Sequence, residues 1–276
     1  MDTIKLTEDK NIYKHTLSLK SDPYLDAHRL QGIPFFPFVM GLEYLLKACP
    51  DIADTTGILY LDYSVNNPIF LRRDRDKPIF IKTQRLKDQY GHFVEIMSDE
   101  EQNYISGKVI SRSQIRSTER DPLNFDFNEK NTIKKFTNDL YENILPHGPH
   151  FHNNFDVITF KKDSVEARQH SYNNDLDYLK NQKLKDLALN PALLDGCLQL
   201  AALNAIKFDH CYILPLSFNS CFINMDIMSK SEECLISIKR NKIANYDIKV
   251  YSKSGKLFVF MNNLTFSVLK KNTPLI

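Results

Sequence analysis

The sequence predicts an α+β protein in which two bent antiparallel sheets each wrap around one central helix. Short segments with alternating apolar and polar residues, typical of half-buried strands, occur in both halves of the chain. Each half also contains one helix that is apolar on nearly every side, which favours burial within a sheet. A polar segment separates the halves, so we expect domains at residues 1–116 and 138–276, joined by a linker at residues 117–137.

The first central helix is predicted at Phe38–Cys49. It follows Pro37, and proline is common where a helix begins because the first backbone N–H groups have no partner inside the helix. Pro50 and Asp51 are expected to end it. Because nearly every residue of this segment is apolar, the helix is expected to be buried.

The strands of the first domain follow this helix in sequence. Four segments have the alternation or the β-branched and aromatic content of strands: Ile58–Leu61, Pro78–Lys82, His92–Met97 and Tyr104–Ile110. Alternation places one face of a strand against the core and the other in water. We therefore expect a curved sheet with one solvated face.

The second domain repeats the layout of a helix wrapped by strands, although no repeat is visible residue by residue. Its central helix is predicted from Pro191 to Ile206 and is again apolar all round. Ser254 and Gly255 indicate a hairpin turn. The predicted strands are Phe155–Phe160, Leu235–Ile238, Tyr246–Tyr251 and Leu257–Met261.

The composition is that of an ordinary folded protein, with 42% hydrophobic residues, 25% charged residues and a formal net charge of +2 over 276 residues. This balance indicates neither nucleic acid nor a membrane as a partner. Five cysteines form no Cys-x-x-Cys pair and lie mostly in apolar runs, which favours buried free thiols and a reducing cytoplasm. No segment approaches the roughly 18 apolar residues of a spanning helix, and the N-terminus has no apolar run, so neither secretion nor membrane insertion is expected.

His28 is the first candidate for chemistry, because it begins a string with the spacing His28-x3-Gly32-x4-Pro37. An imidazole titrates near neutral pH and can act as a general base. Gly32 allows close approach of backbone to a ligand, and its N–H can face a carbonyl oxygen. A lone histidine is more often a core residue bonded to backbone, so the hypothesis depends on the spacing.

Asp195 lies within the second apolar helix, where an unpaired carboxylate is costly. Burial there is expected to raise the pKa of Asp195 and to favour the protonated form that an acid catalyst needs. Gln199 follows one helical turn later on the same face and can hydrogen-bond to Asp195. A purely structural Asp195–Gln199 pair accounts for the spacing equally well, and both hypotheses stay open on these residues alone.

The spacings His-x3-Gly-x4-Pro and Asp-x3-Gln are the two signatures of the dehydratase domains of modular and iterative type I polyketide synthases, and the chain resembles that family. Leu145–Phe151 is similar to the family's Gly-Tyr-x-Tyr-Gly-Pro-x-Phe loop, and Leu214–Phe218 to its Leu-Pro-rich strand. The chain departs from the family at His147, where the family has tyrosine, and at Asn190, where it often has histidine.

The resemblance implies a double hot dog fold and a hydro-lyase that removes water from 3-hydroxyacyl thioesters to give 2-enoyl thioesters. It implies a substrate carried on the phosphopantetheine arm of an acyl carrier protein, with no metal or nucleotide cofactor. Other polyketide synthase domains and a second copy of the chain are further expected partners.

The resemblance also implies roles for individual residues. His28 would be the base, Asp195 the acid and Gln199 the partner that orients the acid. Gly32 would donate its N–H to the thioester oxygen. The other residues expected to contact substrate are Pro37, His147 and Gly148.

Two alternatives to dehydration remain. The same His/Asp site could shift double bonds or steer cyclisation, or the fold could bind acyl chains without turnover. A metal site is not predicted, because His147, His150 and His152 are close in sequence but have no acidic or cysteine ligand beside them.

Overall fold

The computed structural model describes residues 2–7, 10–53, 55–87, 89–112, 132–134, 141, 144–145, 147–153, 155–169, 187–228 and 233–269. Antiparallel strands dominate these residues, and two central helices are buried among them. This is the mixture of elements that the alternating and the all-apolar segments predict.

The first half of the described chain contains two α-helices, α1 (Phe38–Lys47) and α2 (Pro50–Ala53). The first helix ends at Lys47, two residues before the predicted Cys49, and Pro50, which was expected to end it, begins a second, short helix because proline suits a first helical turn. The strands are β1 (Asp2–Thr7), β2 (Lys10–Leu17), β3 (Arg29–Leu30), β4 (Ile33–Pro34), β5 (Gly57–Val65), β6 (Lys77–Arg85), β7 (Gly91–Met97) and β8 (Asn103–Ser111).

The second half contains α3 (Pro191–Asp209) and α4 (Met225–Met228). The predicted start of α3 at Pro191 is confirmed, and the helix continues three residues beyond the predicted Ile206. The strands are β9 (Thr132–Lys134), β10 (Phe155–Phe160), β11 (Ser164–Gln169), β12 (Tyr212–Asn224), β13 (Cys234–Lys242), β14 (Asn245–Ser252) and β15 (Leu257–Leu269).

All described strands except β3 and β4 belong to one 13-stranded sheet in the order β1-β2-β6-β7-β8-β5-β12-β15-β14-β13-β11-β10-β9. The sheets of the two halves meet where β5 pairs with β12, from Ser64↔Ser217 to Gly57↔Asn224. The sequence predicted two sheets, and the structure joins them edge to edge. This pairing satisfies backbone groups that two separate sheet edges would leave exposed.

The two central helices are buried because neither has a polar face. Every residue of α1 from Phe38 to Leu46 is buried, and α3 buries most of its length from Pro191 to Ala205. α1 and α3 contact each other, and their apolar side chains belong to one continuous core. The helices of the two halves therefore pack at a shared boundary, which brings residues distant in sequence together.

The predicted linker is described only in part. Thr132–Lys134 forms β9, which pairs with β10 at the end of the sheet. Residues 117–131 and 135–137 lie outside the described residues. The proposed domain boundaries stay a prediction.

Among the described helices, none is long and apolar enough to cross a membrane. The cysteines are free thiols, and the prediction of burial is confirmed at every position but Cys211, which is half-buried.

Candidate active site

His28 lies directly before the small hairpin formed by β3 and β4. Its backbone C=O accepts a hydrogen bond from the N–H of Phe35 at 2.8 Å, and its ring Nδ1 lies 2.8 Å from the C=O of the same residue. A carbonyl can only accept, so Nδ1 carries the proton and Nε2 keeps a free lone pair. The His28 ring also stacks on Phe35 at 5.5 Å and meets the ring of Phe151 edge-on at 5.3 Å.

Asp195 lies in the second turn of α3 and is only 4% exposed. The helix begins favourably, because Asn190 caps it by accepting a hydrogen bond from the N–H of Leu193 at 3.0 Å and Pro191 occupies the first turn. Asn190 therefore has a clear structural role at the position where the family often has histidine.

Gln199 holds the Asp195 carboxylate, as the spacing predicted. Its Nε2 donates to Asp195 Oδ2 at 2.8 Å and to the C=O of Phe151 at 2.9 Å. Its Oε1 accepts from the hydroxyl of Tyr141 at 3.0 Å, and this hydroxyl accepts from the N–H of Asn153 at 2.8 Å. The side chain that orients Asp195 is thus itself bonded at both ends.

His147 joins the two halves of the site. Its Nε2 lies 3.4 Å from Asp195 Oδ2, and its backbone pairs with that of His28 in an antiparallel bridge. The two imidazole rings are 5.1 Å apart, edge to face. One ring nitrogen of each histidine and one carboxylate oxygen of Asp195 all lie within 4.8 Å of one another.

The protonation of these groups follows from burial. Burial lowers the pKa of His28 to about 4, together with the nearby His147, although the Asp195 carboxylate acts in the opposite direction. Burial likewise lowers the pKa of His147 to about 4. Burial raises the pKa of Asp195 above its usual value, outweighing the opposite influences of His28 and Gln199. Neutral imidazoles and a readily protonated carboxyl therefore share the site.

A cavity of about 80 Å³ opens onto the three groups. His28, His147 and Asp195 supply polar atoms at one side, next to Gln199. The walls are mainly apolar and include Leu30, Phe35, Phe38, Leu198, Ile206 and Phe266. Such a cavity suits a hydrocarbon chain with a reactive polar end.

Two predicted contact residues lie elsewhere. Gly32 is exposed at the tip of the β3–β4 hairpin, where it and Gln31 both have positive φ angles, of 77° and 51°. That geometry is a type I′ turn, so Gly32 serves the turn, and it is not among the residues that line the cavity formed by the described residues. Pro37 is buried and precedes the first residue of α1, where its C=O accepts from the N–H groups of Met40 and Gly41. Neither residue lines the cavity formed by the described residues, so their contact with substrate stays a prediction.

Gly148 also acts through the backbone. Its N–H donates to the C=O of Ala27 at 2.6 Å, and a Cβ at this position would lie 2.8 Å from the Ala27 Cα. Glycine is needed for this close approach, which sets His147 beside His28. Gly148 does not line the cavity within the described ranges.

Sequence reasoning missed Tyr141 and Asn153. Tyr141 precedes the histidine-rich loop, and no local pattern marks it as a partner of Gln199. The Asn153 side chain lies against Gly196 of α3, where an added Cβ would approach it to 2.7 Å. A glycine inside a long apolar helix is the one signal that could have indicated such a close contact.

Two family models match the chain. The model described as polyketide synthase dehydratase N-terminal domain matches residues 117–275, more than half of the chain. The model described as polyketide synthase dehydratase domain matches residues 2–99. A comparison with curated protein sequences found no match.

Solved dehydratase domains have similar structures. That of the CurF module of the curacin polyketide synthase is 16% identical, with a TM-score of 0.79 over 98% of this chain and 97% of that chain. That of the CurK module is 15% identical, with a TM-score of 0.77 over 99% and 98%. The dehydratase domain from the terminal module of the rifamycin polyketide synthase is 15% identical, with a TM-score of 0.71 over 96% and 94%.

At these identities the solved structures show the shared fold, which confirms the predicted double hot dog. The matches to the family models identify the class of reaction. Polyketide synthase dehydratases are hydro-lyases that dehydrate 3-hydroxyacyl intermediates in polyketide biosynthesis. The predicted dehydratase function is thereby confirmed at the level of the family. Matches along both halves of the sequence show that this chain belongs to the polyketide synthase dehydratase family.

Proposed function

We propose that the chain dehydrates 3-hydroxyacyl thioesters borne on an acyl carrier protein, with His28 as the base and Asp195 as the acid. The observation that carries this proposal is the meeting of these two residues, from opposite halves of the chain, at one apolar cavity. An acid and a base with opposed pKa shifts at one site are the arrangement that general acid–base catalysis uses.

The reaction balances with these two groups. The Nε2 of His28 takes the proton from C2 of the acyl chain, and the electron pair of that C–H bond forms the C2=C3 double bond. The C3–O bond breaks, and the leaving hydroxyl takes the proton of Asp195 to become water. His28 ends as an imidazolium and Asp195 as a carboxylate. Before the next turnover, His28 must therefore lose one proton and Asp195 must regain one.

The environment prepares both groups for these roles. Because the pKa of His28 is lowered to about 4, its imidazole is neutral at neutral pH, and its bonded Nδ1 leaves Nε2 as the basic atom. The raised pKa of Asp195 favours the protonated acid, and Gln199 holds it in one orientation. General acid or base assistance of this kind contributes about 10²–10⁴-fold in rate.

His147 is the third polar group that substrate would meet. It stands where the family has tyrosine, and its Nε2 is 3.4 Å from Asp195 Oδ2. A hydroxyl bound by Asp195 therefore comes within reach of His147. We assign His147 to holding the substrate hydroxyl in line with the acid.

Two mutants of one relative support the importance of such a pair. The dehydratase of the CurK module has been solved as an inactive mutant with phenylalanine in place of a histidine, and as another with asparagine in place of an aspartate. These are the same residue types that share the cavity in this chain.

The carrier-borne substrate extends this proposal to partners. Membership of the family implies an acyl carrier protein and neighbouring synthase domains. The phosphopantetheine arm would deliver the acyl chain, and the described residues supply the acid and the base from side chains alone. Homodimer formation and a cytoplasmic location stay predictions, which size-exclusion chromatography and cell fractionation test.

The test is an assay of the purified chain with 3-hydroxyacyl thioesters on an acyl carrier protein, followed by mass spectrometry. Dehydration appears as loss of the mass of water, whereas an isomerase leaves the mass unchanged. We expect His28→Ala and Asp195→Asn each to abolish the mass loss. Asp99→Asn, which changes an exposed turn carboxylate, is the matched control and should be fully active.

Retention of the full rate in both His28→Ala and Asp195→Asn would overturn the assignment of roles. Tight binding of the loaded carrier with no conversion at any pH would instead indicate an acyl-binding protein that has lost turnover.

A further inference from the structure

We propose that His28, His147 and Asp195 form a binding site for a divalent transition metal ion such as Zn²⁺, and that the bound metal reversibly blocks the cavity. Two imidazoles and one carboxylate are a ligand set that zinc accepts in sites with one open position. The sequence predicted no metal site because the neighbours of His147 in the chain include no acidic residue. The fold supplies that residue from α3.

The spacing of the donor atoms fits this proposal. His147 Nε2 and Asp195 Oδ2 are 3.4 Å apart. Ligand atoms on one tetrahedral zinc ion, with bonds of about 2.0–2.2 Å, are roughly 3.3–3.6 Å from one another. The three donor atoms lie within 4.8 Å, so the most distant pair needs to approach by about 1.5 Å at most, which small side-chain rotations provide.

The surroundings orient two of the donors. His28 donates its Nδ1–H to the C=O of Phe35, which directs the free Nε2 lone pair away from that contact. Metal-binding histidines almost always make such a bond through their other nitrogen, because it fixes the tautomer and the ring orientation. Gln199 likewise fixes the orientation of the Asp195 carboxylate, because its Nε2 donates a hydrogen bond to Oδ2.

His147 is the residue that completes the set. Its buried Nδ1 has no hydrogen-bond partner in the described part of the chain, so no hydrogen bond at that atom opposes rotation of the ring toward a metal ion. Its backbone is held beside that of His28 by the antiparallel bridge. A tyrosine at this position would offer a phenol, a much weaker zinc ligand at neutral pH because it must first lose its proton.

The fourth coordination position would face the cavity. A metal ion bound there engages the Nε2 lone pair of His28 and the carboxylate of Asp195, so neither can exchange a proton with an acyl chain. Inhibition by the metal therefore rests on the proposed function, whereas binding of the metal does not.

Binding is tested on the tag-free protein without substrate. Co²⁺ is titrated while its visible d–d absorption is recorded, and Zn²⁺ is then added as a competitor in calorimetry. We expect one ion per chain. For His147→Phe we expect an affinity at least about 10-fold lower, since loss of even an outer-shell partner costs about 10–100-fold.

The matched control is His210→Asn, which removes an exposed histidine at a residue with φ of 53°, where asparagine is tolerated. It should bind metal as the wild type does. Asp195→Asn is a second variant that removes a ligand and keeps the side-chain shape, and it should also bind weakly. Thermal unfolding without metal checks that each variant is folded.

Two results overturn the site: no binding of either ion by the wild type, or equal affinity in the wild type and in folded His147→Phe. Zn²⁺ is then added to the dehydration assay, where we expect loss of activity and its recovery with a chelator. Full activity of the metal-saturated enzyme would overturn the proposal that the bound metal blocks the cavity. If metal binds as expected but no preparation dehydrates substrate, the proposed function fails and the metal site stands.

Discussion

The carboxylate of Glu43 in α1 accepts a hydrogen bond from the backbone N–H of Leu189 at 2.9 Å, and a second from that of Ala188 at 3.0 Å. Glu43 is fully buried, and the two amides lie directly before the capping residue Asn190 of α3. The central helix of the first half thus anchors the start of the helix that carries Asp195.

Glu43→Gln should destabilise the protein. The substituted amide offers only one acceptor oxygen to the two N–H groups, and the donor left unsatisfied, if it is that of buried Leu189, costs about 1–3 kcal/mol. The free energy of unfolding, measured by urea denaturation, should fall by about that amount. Glu100→Gln is the control, because it makes the same substitution at an exposed turn residue, where the free energy of unfolding should change by no more than about 0.5 kcal/mol. Equal losses in the two variants would contradict the role of the amides.

Gln199→Leu should lower kcat with little change in KM. The substitution removes the hydrogen bond at 2.8 Å that holds Asp195 Oδ2, and misplacement of a catalytic group costs about 10²-fold. Tyr141→Phe removes only the hydroxyl that contacts Gln199 and Asn153, so it should give a smaller decrease in the same direction. Steady-state kinetics on the loaded carrier measures both. A change confined to KM would show that Gln199 binds substrate and does not position Asp195.

Gly196→Ala should destabilise the protein although alanine is the better helix former. The new Cβ would lie 2.7 Å from the Asn153 side chain. That side chain cannot move freely, because its Nδ2 donates to the C=O of Phe151 and its Oδ1 accepts from Gln169. Overpacking costs about 1–3 kcal/mol. The gain in helix propensity is only about 1 kcal/mol.

A double-mutant cycle separates the two effects of Gly196→Ala. In an Asn153→Ala background the steric conflict is absent, so Gly196→Ala should there be neutral or stabilising by thermal and urea unfolding. The same destabilisation in both backgrounds would show that Asn153 is not the residue in conflict.

Asp22→Asn should change the pH dependence of stability. Burial raises the pKa of Asp22, but hydrogen bonds, led by that from His15 at 3.1 Å, outweigh it and bring the pKa below its usual 3.8. A lowered pKa adds stability above the unfolded-state value, and that stability is lost as the pH falls through the folded-state value. The wild type should therefore exceed Asp22→Asn in unfolding free energy at neutral pH, and the difference should shrink below about pH 4.

Urea denaturation at a series of pH values measures this effect. Asp26→Asn is the control, because Asp26 lies in the same loop with a side chain that is 65% exposed, and its ion pair with Arg29 contributes at most about 1 kcal/mol. A difference between the wild type and Asp22→Asn that is the same at about pH 3 and about pH 7 would refute the linkage.

Local patterns predicted the central elements well. The strand Phe155–Phe160 has the predicted bounds, and α3 begins at the predicted Pro191. β11 (Ser164–Gln169) was missed although it alternates, because only two of its six residues are apolar and one of these is alanine, which is uncommon in strands. Its pairing with β13 buries Val165 and Ala167, and that partner is about 70 residues away in sequence.

The site was predictable where a motif marks it. The spacings identified His28, Asp195 and Gln199, and the structure brings all three to one cavity. Gly32 belongs to the same motif, yet it lies at an exposed turn, because a spacing does not show whether a residue faces a cavity or solvent.

Periodicity, capping residues and motif spacings act between near neighbours in the chain, so the amino-acid order alone was enough for the α+β class and the two central helices. Together with the family resemblance, it was also enough to select His28 and Asp195. The joining of two sheets through β5 and β12, the contact of His147 with Asp195 and the bond from Tyr141 to Gln199 arise from packing. They unite segments that are distant in sequence, and their distances depend on how helices and sheet fill one shared core.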